Sequence, residues 1–217
     1  MSLATQQILT TEPPSSAPIN MAKANGIVTE EVEFLGQQIL VAQTVLQQAI
    51  DVIDNQLTSD DQLTVHSKYL PGSTIGKHLR HANDHFRSII QTIDQSTGSE
   101  LHILDYDRSR TRNSPMESSR ASAKEKLAET MQKLENIPST TDWNAPVQLH
   151  AITPYDQKMM SSLGRELWFA SLHCVHHWSM VRVIAGELGI TLSEDFGFAP
   201  STLVHQGRDG ALSKAKI

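Results

Sequence analysis

Ten histidines stand in 217 residues, and six of them fall in two short stretches. His78, His81 and His85 lie in GKHLRHANDHF, and His173, His176 and His177 lie in WFASLHCVHHWSM. Imidazoles are poor core material, because each ring carries two nitrogens that need partners. His173 and His177 are four apart, so on a helix their Cβ atoms would sit about 5–6 Å apart on one face. Two ring nitrogens so placed can converge on one metal ion at about 2.0–2.1 Å. A third imidazole from a facing helix would complete such a site, and His78, His81 and His85 are the candidates. Three histidines without a thiolate or carboxylate leave coordination positions open, the form of a catalytic rather than a structural site. The competing reading is of histidines satisfied by hydrogen bonds in a core. The HxxxH spacing alone is a weak signal, and the second cluster strengthens it. His78 and His176 read as packing or supporting residues.

These side chains need helices to hold them. From Thr29 to Leu57, apolar residues recur in steps of three and four through Leu35, Ile39, Ala42, Leu46, Ala49, Ile50 and Ile53. That period is an amphipathic helix. A second helix is predicted over Thr74–Gln95, capped by Ser73 or Thr74 after the LPGS turn. A third is predicted over Ser118–Asn136, stopped by Pro138. The fourth, over Ser162–Leu188 and ended by Gly189, carries His173 and His177. LHILDYDRSRTRNSP and residues 139–160 read as long loops, with VQLHAI as a short extended segment. Four long helices without a strong strand pattern give an all-α class. The expected organisation is a disordered tail at 1–26, one domain at 27–202 and a flexible tail at 203–217.

Composition narrows the function. The net charge is −6, and no dense run of Lys and Arg offsets it, which argues against nucleic acid as a partner. The patch from Arg108 to Arg112 sits beside Asp105 and Asp107. No apolar run reaches the ~18 residues of a membrane span, and the N-terminus lacks the pattern of a secretory signal. A cytoplasmic setting is expected, without membrane contact. Cys174 is the one cysteine, which excludes an intrachain disulfide and reads as a small buried hydrophobe.

Four stretches in order, GSTIGKHLRHANDHF, LDYDRSRTRNSP, LGRELWFASLHCVHHWSMVRVIAGELGI and EDFGFAPST, resemble the DinB-like superfamily, including its YfiT-like and bacillithiol- or mycothiol-dependent transferase members. The resemblance covers roughly Thr29 to Thr202. It implies a four-helix bundle of up-down-down-up topology with long loops flanking helix 3. It also implies a divalent metal (zinc, nickel or iron) on His173, His177 and one helix 2 histidine. In the family pattern that ligand falls on His81, seven residues after Thr74, with His85 competing one turn further on. A homodimer is plausible on the same ground.

Such a site would lower the pKa of a bound thiol or water and so make a nucleophile. The expected function is a metal-dependent transferase or hydrolase acting on an unidentified small molecule or thiol. His85 and Glu166 are the candidate catalytic groups, orienting a ligand imidazole or accepting a proton. Glu166 also reads as an ordinary acid in a helix's first turn. The segment Asp105, Tyr106, Asp107 and Arg108 reads either as a roof over the site or as a solvated turn. The alternative function is a non-catalytic metal-binding bundle that responds to stress or binds a partner.

Overall fold

The computed structural model describes residues 21–95, 101–107, 113–152, 154–208 and 212, with side chains from residue 34 onward except residue 35. Four long helices carry most of the described residues: α1 (Met21–Asn55), α2 (Ile75–Asp94), α3 (Arg120–Glu135) and α4 (Leu163–Glu187). A short α5 (Pro200–His205) follows. Residues 1–20 of the expected N-terminal tail lie outside the described residues, and α1 begins at Met21. Beyond the expected domain end, Leu203 and Leu212 are buried in the core.

The helices form where sequence period and caps agree. The Thr74 hydroxyl accepts from the Lys77 amide at 3.1 Å at the start of α2, satisfying one of the orphan donors of a helix N-terminus. Ser119 does the same for α3 and Ser162 for α4. Ile75, Leu79, Ala82, Phe86 and Ile89 of α2 face inward against Leu167, Ala170, Cys174, Trp178 and Val181 of α4 within one core. Trp178 is wholly buried, and its Nε1 donates to the Val45 carbonyl at 2.8 Å, tying α4 to α1. The start of α2 presses closely on the turn at Pro115–Glu117. A Cβ on Gly76 would stand 2.0 Å from the Glu117 carbonyl oxygen, so only glycine fits there.

The all-α class and pure bundle topology expected from the sequence are corrected here. The chain also builds a three-stranded mixed sheet, in the order β1 (His102–Asp105), β2 (Pro146–Ile152), β3 (Asp156–Ser162). β1 pairs parallel with β2, His102 opposite Val147, and β2 pairs antiparallel with β3, Pro146 opposite Ser162. The segments read as loops are therefore partly sheet, and VQLHAI is the middle strand rather than an isolated extended piece. The physical reason is visible in burial: Leu104, Val147 and Leu149 cover the helical core while their neighbours stay accessible, the period-two pattern of a half-buried sheet. β3 runs directly into α4, with Ser162 both its last residue and the cap of the helix. The sheet thus fixes where the histidine-bearing helix starts.

Candidate functional site

Helices α2 and α4 pack face to face, and their histidines meet at the seam. His173 Nε2 lies 3.3 Å from His81 Nε2 and 3.0 Å from His177 Nε2. Imidazole nitrogens around a tetrahedral ion at 2.0–2.1 Å would lie roughly 3.3 Å apart, so each of these two contacts has the spacing of a pair of ligands. An overlapping set, His81, His85 and His173, has ligand atoms all within 4.8 Å of one another. His85 Nδ1 lies 3.0 Å from the His81 carbonyl and so donates to it, which leaves the ring's Nε2 as the basic atom. The geometry brings both helix 2 candidates beside His173, the His85 ring at 4.2 Å and the His81 ring at 5.3 Å between centroids. His78 does not join the ligand set. Its Nδ1 sits 2.8 Å from His177 Nδ1. His176 is exposed beside His177, their rings 5.3 Å apart.

Burial governs the protonation of these rings. It is the largest cause lowering His173 to about 4, assisted by His85 and His176. Burial, with His173, His81, His78 and His176 around it, lowers His177 to about 2. Burial and then His176 lower His78 to about 4. At neutral pH these imidazoles are uncharged and their lone pairs are free of protons, the form that metal coordination needs.

Tyr106, just past β1, roofs the cluster. Its ring stacks on His85 with centroids 4.6 Å apart and 27° between planes. Its hydroxyl donates to Glu166 Oε2 at 2.8 Å. Glu166 also accepts from Ser161 Oγ at 2.5 Å and Arg165 Nη1 at 2.9 Å, and is wholly buried. Burial, then the charge of Glu166, holds the Tyr106 phenol far above its ordinary range, so it stays a donor. Glu166 is therefore a buried anchor with its oxygens engaged, and the roofing reading holds for Tyr106. Asp107 ties the roof to the sheet by accepting from the Ile152 amide at 3.0 Å. Arg108 and the patch to Arg112 lie outside the described residues.

His150 Nε2 is 3.0 Å from Gln148 Oε1 on its own strand. Cys174 is buried and unreactive, its thiol pushed up by desolvation, as its reading as a core residue requires.

Sequence reasoning missed a second feature. A cavity of about 840 Å³ opens between α1, the segment joining α3 to β2, and the outer side of α4. Phe34, Val41, Trp143 and Trp168 wall it, with Gln38 and Arg165 at its edge. Trp168 is 51% exposed and Phe34 56%. These residues come from distant segments, and no local spacing announces their meeting.

Among known proteins the chain is similar to one of the FK506-binding class. That relative is FK506-binding protein 5 of Rhizopus delemar, 33% identical over 163 residues, which are 74% of this chain and 36% of the relative. The chain thus spans about a third of that protein's length. No family model matches, and no solved structure matches. The finding overturns the DinB-like resemblance, since the similar protein carries the name of an FK506-binding protein. With it fall the reading of a DinB-like metal-dependent transferase or hydrolase and the alternative of a stress-responsive metal-binding bundle. The motifs that suggested them are histidine spacings and helix-end turns, which any histidine-bearing helix pair can share.

Proposed function

We propose that the chain serves protein folding, as an immunophilin-type ligand-binding module, and that its histidine cluster holds one divalent transition-metal ion. The likeness to FK506-binding protein 5 is the observation that carries the first part. The cavity supports it. Its volume of about 840 Å³ lies in the range of sites for drug-sized ligands, and its aromatic walls, edged by polar side chains such as Gln38, Asp142 and Arg165, suit a macrolide or an apolar peptide segment. FK506 titrated into the chain should quench tryptophan fluorescence saturably, and Trp168→Ala should weaken binding about tenfold, a loss of ~1.4 kcal/mol. Catalysis of prolyl isomerisation in a short peptide should accompany binding. An unchanged emission together with no catalysis would overturn this part.

The metal reading is supported by His173 Nε2 lying 3.3 Å from His81 Nε2 and 3.0 Å from His177 Nε2, with ligand atoms of His81, His85 and His173 all within 4.8 Å of one another. Zinc, nickel and iron all accept imidazole. A bound ion would crosslink α2 to α4 and offer a Lewis acid at their seam. Its site lies at the inner α2–α4 seam, whereas Arg165 and Trp168, on the outer side of α4, line the cavity. Mass-spectrometric metal content should be about one ion per chain, lost in His81→Ala and His173→Ala. Wild-type protein that stays metal-free after reloading would end this part alone.

A further inference from the structure

His78 is a residue of the cluster that the metal reading leaves without a task. It lies on α2 one turn before His81, yet it turns its Nδ1 to His177 Nδ1 at 2.8 Å rather than toward the other three rings. Two ring nitrogens at that distance need one proton between them. Only two arrangements satisfy this. With the proton on His177 Nδ1, the His177 Nε2 lone pair is free and faces His173 Nε2 at 3.0 Å. With the proton on His78 Nδ1, His177 must carry its own proton on Nε2, which blocks that atom as a ligand.

His78 Nε2 is buried and, among the described residues, has no hydrogen-bond partner. An unpaired buried polar atom is costly, and a leucine would fill much of the same space without that cost. Among the described residues, the contact to His177 is the hydrogen bond this ring makes. We propose that His78 is a positioning residue for metal binding: its Nδ1 accepts the His177 Nδ1 proton and so holds His177 in the tautomer that presents Nε2. This rests on the metal reading above. A ligand imidazole commonly donates its second N–H to a carbonyl, carboxylate or water, and here a second imidazole takes that place. The pair joins α2 to α4, so the device also orients the His177 ring between the helices.

Two substitutions separate the accepting role from mere packing. His78→Asn places an oxygen near the position of Nδ1 and keeps an acceptor, while His78→Leu keeps bulk and removes it. Cobalt(II) titration, read by visible absorption, should show affinity weakened 10–100-fold in His78→Leu and close to wild type in His78→Asn. Nitrogen-15 histidine spectra of the metal-free protein give an independent readout. They should show His177 protonated on Nδ1 in wild type and His78→Asn, and a mixture of tautomers in His78→Leu. Thermal melts check that both variants fold. Cobalt bound equally well by wild type and His78→Leu would overturn the proposal while leaving the metal reading intact, and so would equal losses in two folded variants. Wild-type protein that takes up no cobalt would remove the metal reading, and this proposal with it.

Discussion

Glu166 shows what a single buried carboxylate does in this chain. It is wholly buried and takes donors from Tyr106, Ser161 and Arg165, so it joins the sheet end, the roof and the first turn of α4. Glu166→Gln turns one acceptor oxygen into a donor that faces hydroxyls and a guanidinium. Leaving such groups unpaired costs about 1–3 kcal/mol or more, and a urea melt should show a loss of about 2 kcal/mol. Tyr106→Phe should cost about 1 kcal/mol, and the double variant should lose less than the sum, because both changes break the same bond. Strict additivity in that cycle would refute the coupling. Protonation of the lowered histidines sets a pH dependence with the same sign as that of a carboxylate held below its ordinary range. His78 and His173 are held near 4 and His177 near 2, against about 6.5 in an unfolded chain. Between those values the unfolded chain binds more protons than the folded one, so stability is full above pH 6.5 and falls as the pH drops below it. Urea midpoints of metal-free protein should decline from pH 7 to pH 5. A midpoint constant over that interval would show that the rings are not buried as described.

Among the elements, the helices were legible, and of the sheet only the middle strand, as the extended segment VQLHAI. Ile75, Leu79, Ala82, Phe86 and Ile89 recur at the helical period and all are buried on α2. The seam of histidines on α2 and α4 follows from the same period. β3 offers no such sign, because its residues from Asp156 to Met160 are exposed and show no alternation. β1 is only four residues long, and its parallel partner begins at Val147, far along the chain. Pairing at that distance leaves no local pattern, so the segments read as loops. The approach of α2 to the Pro115–Glu117 turn was equally silent in sequence, although Gly76 at the start of the helix is its mark. Gly76→Ala would bring a methyl group to 2.0 Å from the Glu117 carbonyl oxygen, and the turn must retreat. Arg80, which bonds Glu117 at 2.9 Å and Asp84 at 3.2 Å, would lose its alignment. A destabilisation of about 1–3 kcal/mol is expected, as for other overpacked sites. An alanine variant as stable as wild type in a urea melt would count against that close contact.

For the whole molecule, the seam between α2 and α4 is the joint that a ligand ion would strengthen. The two helices come from opposite halves of the sequence, and the loops and strands between them exceed the length of either. An ion that binds the folded chain alone stabilises it by RT ln(1 + [L]/Kd), about 4 kcal/mol at a thousandfold excess over Kd. In a chain of this size 1 kcal/mol moves Tm by roughly 2–4 °C, so saturating zinc should raise Tm by roughly 8–16 °C. Trp178 gives the control. Trp178→Phe removes the bond to the Val45 carbonyl and part of the core that joins α1 to α4, at a cost of roughly 2–3 kcal/mol. That variant should melt lower than wild type and still gain the full zinc increment, because its histidines are untouched. His173→Ala should behave in reverse, with little gain from zinc whatever its starting Tm. Scanning calorimetry with and without zinc on these three proteins decides the matter, since a zinc increment that survives His173→Ala would place the ion somewhere other than the seam.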